Sequence, residues 1–158
     1  MDRRASQRRA IIRHQLAAGR LILLAVALLT LVNQLLLLFK VDYHFLLSSA
    51  VAHYVNWLWV QMDAHWGWAV LNVLLTLCID VFYCGCWFLS GGRRRYLTMA
   101  LFAYGLDTLL LMIFAFTMLS NPASCIIEIL AHLGALYLLM MADQAAGAAQ
   151  RMRHRTQA

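Results

Sequence analysis

The chain has 158 residues, 63% of them hydrophobic and 13% charged, with one proline and a mean hydropathy of +0.69. Soluble domains average roughly 45–50% apolar and about 25% charged residues, so this composition excludes a soluble globular fold and calls for a bilayer. The net charge of +6 does not mark a nucleic-acid binder, because the arginines sit in three short blocks beside apolar runs (Arg3 to Arg20, Arg93–Arg95, Arg151 to Arg155), a distribution that sets membrane topology and attracts anionic lipid headgroups.

In chain order, residues 1–20 are basic and partly amphipathic, the pattern of a helix held on the cytoplasmic surface by anionic lipids. The first span is Leu21–Phe39, a run of 19 residues that is longer than a signal-peptide core and, at ~1.5 Å per residue, nearly crosses a ~30 Å hydrocarbon layer. Residues 40–65 form an outer segment. Within it FLLSSAVAHYVNWLWVQMD (45–63) carries Ser49, His53, Asn56 and Asp63 as a polar stripe at helical spacing, with Trp57, Trp59, Trp66 and Trp68 gathered near its end. This reads as a helix lying in the outer interface or re-entering the membrane; a fifth span would carry Arg93–Arg95 to the outside.

Three further spans follow at 66–90, 97–119 and 125–142, joined by the basic turn GGRRRY (91–96) and by SNPAS (120–124), which holds the single proline, Pro122; residues 143–158 form a basic tail. With both termini inside, twelve of the thirteen basic residues face the cytoplasm and Lys40 alone faces out, as the positive-inside rule requires. The expected fold is an all-α integral membrane protein: a single-domain four-transmembrane-helix bundle in the cell membrane, N-in and C-in, with an extra amphipathic or re-entrant helix on the outer face.

The stretch DVFYCGC opens with Asp80 in the middle of a span, and AYGLD ends at Asp107 in the next one. Folding these two spans into a hairpin about GGRRRY puts Asp80 level with Asp107, and Tyr83 level with Tyr104. Both aspartates then lie roughly 15 Å from the inner helix ends, near the midplane. A charged aspartate there costs ~2.5–3.5 kcal/mol on insertion scales, and two side by side repel, so the pair is expected to hold a proton or a cation. The fourth span adds Glu128 and His132, one helical turn apart, and the first adds Asn33 and Gln34. Asn33, Asp80, Asp107, Glu128 and His132 are expected along one interior seam, with Tyr83 and Tyr104 closing its inner end. The bland alternative is that such groups, Thr76 and Thr108 included, only hydrogen-bond helix to helix, and that Glu128 caps its helix.

Two D-x-H pairs, Asp42 with His44 and Asp63 with His65, flank His53 and form a candidate divalent-metal set, though the spacing matches no zinc signature. The cysteines Cys78, Cys84, Cys86 and Cys125 lie in apolar surroundings, with no CxxC pair, and no cofactor is implied. In size, span count and its aspartate pair the chain resembles signal peptidase II, which would imply an intramembrane aspartyl hydrolase. It departs from that family's Asn- and Arg-flanked motif, since Val81 follows Asp80 and Thr108 follows Asp107. YGLD is similar to the GxGD of other intramembrane aspartyl proteases, with Leu106 in place of the second glycine. Three functions are therefore carried forward: a proton- or cation-linked transport or channel subunit, a non-catalytic assembly subunit of a larger membrane complex, and, most remotely, an aspartyl hydrolase. Partners are the bilayer, its anionic lipids, and either a second copy of the chain or a larger complex.

Overall fold

A computed structural model describes residues 3–39, 46–61, 66–91, 93–118 and 122–157, and among these every regular element is a helix. They are α1 (Arg3–Leu38), α2 (Ala50–Gln61), α3 (Trp66–Leu89), α4 (Arg94–Met118) and α5 (Pro122–Gln157). Four of the five, all but α2, are long and apolar enough to cross a membrane, and the chain is a multi-pass membrane protein on that ground.

Around the bundle α1 packs on α5, α5 on α4 and α1 on α3, while α3 and α4 touch least; α2 packs against both of these last two. Direct sequence neighbours joined by a tight turn thus form the loosest seam, and the short helix fills it.

The ends of α1 and α5 differ from the expected boundaries. Each runs for 36 residues, about 54 Å at ~1.5 Å per residue. The basic N-terminal segment is continuous with the first span rather than folded onto the surface. The tail continues the last span as helix. No proline interrupts either stretch, and α1 and α5 flank each other toward the chain termini, where Arg8, Ile11, Ile12, Ala148, Arg151 and Met152 line a shared cleft. Close approach is set at Gly19, where an added Cβ would collide with the Ala142 Cβ; the glycine is required by this contact. Helix α5 begins at Pro122, a position where the missing N–H costs nothing.

The interior divides into two halves. Toward the chain termini and the α3–α4 turn lies an apolar core that includes Leu23, Val26, Leu97, Ala100, Ala135, Leu139 and Ala142, all nearly inaccessible. The same end holds an ion pair in which the Arg94 guanidinium donates to Asp143 at 2.6 and 3.1 Å, with the Thr98 hydroxyl donating to the same carboxylate at 2.6 Å. Arg20 lies over the Trp87 ring and donates to the Trp87 carbonyl. In the other half, the α2 half, the buried residues are mostly polar: Thr30, Gln34, Ser48, Ser49, Asn72, Thr76, Asp80, Asp107, Thr108, Glu128 and His132.

Candidate functional site: a buried polar layer around Asp80 and Asp107

Helix α3 shows how the sequence builds this layer. Asn72, Thr76, Asp80, Tyr83, Cys86 and Ser90 follow at steps of three and four and are buried, whereas Leu71, Leu74, Leu77, Val81 and Phe88 are exposed. In water this arrangement would be inside out. In hydrocarbon the apolar stripe faces the solvent and the polar stripe must find partners within the bundle.

Part of that stripe finds them. The Thr76 hydroxyl donates to Gln34 Oε1 at 3.1 Å, joining α3 to α1. Thr108 and Thr30 donate to carbonyls four residues back in their own helices, Tyr104 and Val26, at 2.8 and 2.7 Å. Of the two candidates on α1 it is Gln34 that is fully buried, Asn33 being half-buried.

Asp107 finds more than the sequence indicated. Its Oδ1 accepts from the Ser49 hydroxyl at 2.8 Å and the Val51 N–H at 3.0 Å, and its Oδ2 accepts from the Ala50 N–H at 2.9 Å. A carboxylate from α4 therefore satisfies the free amides that every helix start exposes, here the start of α2, in the bundle interior. Negative charge suits that end of the helix dipole. The Ser49 N–H in turn donates to the Thr30 hydroxyl at 2.8 Å, so α1, α2 and α4 meet at one junction. Just before it Leu47 holds a left-handed backbone, φ 67°, a conformation that costs a non-glycine residue roughly 1–2 kcal/mol.

Asp80 differs. It is 8% exposed, and neither carboxylate oxygen has a hydrogen-bond partner among the described residues. The depth match inferred for the hairpin is visible in the Tyr83 and Tyr104 rings, which meet edge to face at 6.3 Å on the terminal side of the aspartates. The two carboxylates share no hydrogen bond. Beyond Tyr104 stands His132, completely buried, its ring stacked on the tyrosine at 5.2 Å. The Tyr104 hydroxyl has no hydrogen-bond partner among the described residues. Glu128 is buried one turn away on α5.

Among the described residues no group of three or more His, Cys, Asp or Glu side chains is placed to hold a metal ion. The candidate metal residues Asp42, His44, Asp63 and His65, and the His53 side chain, lie outside the described residues. Cys78 and Cys84 are exposed on the apolar side and Cys86 is buried. Ser49 was expected in the polar stripe of 45–63 but not as a partner of Asp107, and Thr30 and Asp143 were not singled out in the sequence. Ser49 carried a signal, a serine immediately before an apolar helix; the other two carried none.

The fold and the layer define a class, a four-span helical membrane protein whose interior is polar in one half and sealed by an apolar core in the other. Comparison with protein-family models, with curated proteins and with solved structures returns no match.

Proposed function

We propose that the chain is a proton- or cation-linked transport or channel-type subunit in which Asp80 takes up and releases the ion. The observation that carries this reading is Asp80 itself: a buried carboxylate inside a span with no protein hydrogen bond to either oxygen among the described residues. A carboxylate in such a place is compensated by a proton or a cation rather than by a helix. Asp107 is already occupied by α2, so the ion-exchanging role falls to Asp80, with Glu128 and His132 farther along the same layer.

The chain sits in the cell membrane with both termini cytoplasmic, supported by the arginine distribution. Helix α2 then re-enters from the outer side, and the polar layer belongs to the outer half. Tyr83 and Tyr104 stand between that layer and the inner apolar core. Arg20 and Arg93–Arg95 fall at the inner headgroup level, where anionic lipids favour them. Four helices make a thin wall for a pathway, so the working unit pairs with a second copy or a larger complex.

The test is flux in proteoliposomes under a pH gradient and, separately, sodium and potassium gradients, read with entrapped dyes. Wild type is expected to carry one of these ions and Asp80→Asn to lose at least about tenfold of the rate, the change expected when a required exchanging group is removed. Equal flux in the two proteins, or none above empty liposomes for any ion, refutes the proposal.

A further inference from the structure

We propose that the cleft between the terminal ends of α1 and α5 is a docking site for an acidic segment of a partner protein. The segment seats one large apolar side chain between the two helices and pairs its carboxylates with Arg8 and Arg151. The depth of the cleft rests on the placement of Arg20 at a headgroup level given above; its chemistry does not.

The cleft follows from how the two helices meet. They touch at Gly19 and Ala142, where an added Cβ would collide. About two turns nearer the chain ends they carry Ile11, Ile12 and Met152 instead, and between them lies a cavity of about 490 Å³. Ala148 completes its apolar wall, and each helix brings one arginine to it, Arg8 from α1 and Arg151 from α5. Ile11 is 57% and Met152 37% exposed, and both arginines are exposed, so wall and charges are open to an incoming chain. A guanidinium takes a carboxylate through two parallel N–H bonds, and one on either side of an apolar cavity fits acids on either side of an apolar side chain.

Charge and depth select the occupant. Residues 1–20 and 143–158 hold nine arginines against two aspartates, Asp2 and Asp143, and Asp143 is taken up by Arg94. A second copy of the chain would bring the same positive excess to this cleft and be repelled. With Arg20 at the headgroups, Arg8 stands twelve residues farther along α1, about 18 Å at ~1.5 Å per residue. The potential of an anionic membrane fades within a Debye length, ~8 Å at physiological salt, so lipid headgroups do not hold it there. Neither terminal segment contains a Phe, Tyr or Trp on which a base could stack. An acidic polypeptide with an apolar anchor meets both the charge and the apolar wall.

The test uses the full chain in zwitterionic lipid nanodiscs and, as probe, a fluorescein-labelled peptide of glutamates around a single leucine, followed by anisotropy. Saturable binding is expected. Reversing both charges, Arg8→Glu with Arg151→Glu, should weaken it at least about tenfold, and replacing the leucine of the peptide by alanine should weaken it about tenfold. On peptide addition, hydrogen exchange should slow in residues 8–12 and 148–152 and stay unchanged in 97–104. No binding, equal binding of the leucine and alanine peptides, or indifference to the charge reversal overturns the proposal. Native mass spectrometry of the detergent-purified protein with added phosphatidylglycerol provides the second arm. Lipid adducts should be equal in wild type and the charge-reversed variant, and adducts that depend on Arg8 and Arg151 make the cleft a lipid site and overturn the proposal. If the double variant does not fold, the alanine peptide and the wild-type exchange map decide.

Discussion

Asp80 and Asp107 are both buried carboxylates in adjacent helices, yet substituting each by asparagine should move stability in different directions. In Asp107→Asn the side-chain carbonyl can keep the Oδ1 partners, the Ser49 hydroxyl at 2.8 Å and the Val51 N–H at 3.0 Å. The amide nitrogen then faces the Ala50 N–H, which donated at 2.9 Å, donor against donor. Hydrogen bonds to a charged group contribute ~1.5–3 kcal/mol and neutral ones ~0.5–1.5, so one lost and two weakened bonds come to about 3–5 kcal/mol in a dry interior. Measured interhelical bonds in bilayers average nearer ~0.6 kcal/mol, because the unfolded chain in the membrane finds other partners; three of those set a floor of about 2 kcal/mol.

Asp80→Asn loses no hydrogen bond to a described residue. It also removes a carboxylate whose burial as an ion costs ~2.5–3.5 kcal/mol, so its effect should lie between neutral and stabilising. Equilibrium unfolding in mixed micelles at one fixed pH, with helicity and tryptophan fluorescence as independent probes, separates the two cases. Equal shifts for the two variants, or a larger loss for Asp80→Asn, would refute the assignment of Asp107 to α2 and of Asp80 to an exchangeable ion.

The other predictions concern the joints of the bundle. Gly19→Val should destabilise by about 1–3 kcal/mol through overpacking on Ala142, and pairing Gly19→Ala with Ala142→Gly should restore most of the stability in the same unfolding assay. Arg94→Ala and Asp143→Ala should each weaken the α4–α5 joint, with a coupling of about 1 kcal/mol in a double-mutant cycle, kept small because the Arg94 side chain is 42% exposed. Thr30→Val removes the acceptor for the Ser49 N–H; it should cost about 1 kcal/mol and raise exchange at Ser49 without affecting the Arg94–Asp143 end.

What the sequence made legible follows from which forces act locally. The four spans could be read because apolar runs of the right length have few other destinations, and Tyr83 meets Tyr104 because a tight turn fixes the depth of each residue in a hairpin. The ends of α1 and α5 were less legible. QAAGAAQRMRHR looks like a fraying tail until α1 is placed beside it, and Gly19 is a point of close approach to α5, against Ala142. Asn33 and Gln34 are neighbours, about 100° apart on the helix, and only the contact with Thr76 selects Gln34. The partner of Asp107 was hidden for a related reason: it lies 56–58 residues away in a segment whose polar stripe reads equally as interfacial.

The seam between α3 and α4 ties these observations together. A hairpin with a tight turn would ordinarily zip along its length, yet these helices touch least of the neighbouring spans. Near the turn they are held by Tyr83 against Tyr104 and by the apolar core. Farther along, Asp107 turns to the start of α2, and neither Asp80 oxygen has a hydrogen-bond partner among the described residues. Helix α2 packs against both α3 and α4 there and supplies the donors that Asp107 accepts. The seam is thus packed directly near the turn and through α2 farther along. Motion in this fold is therefore expected in α2 and the α3–α4 seam beyond the tyrosines, with the Gly19–Ala142 and Arg94–Asp143 joints fixed.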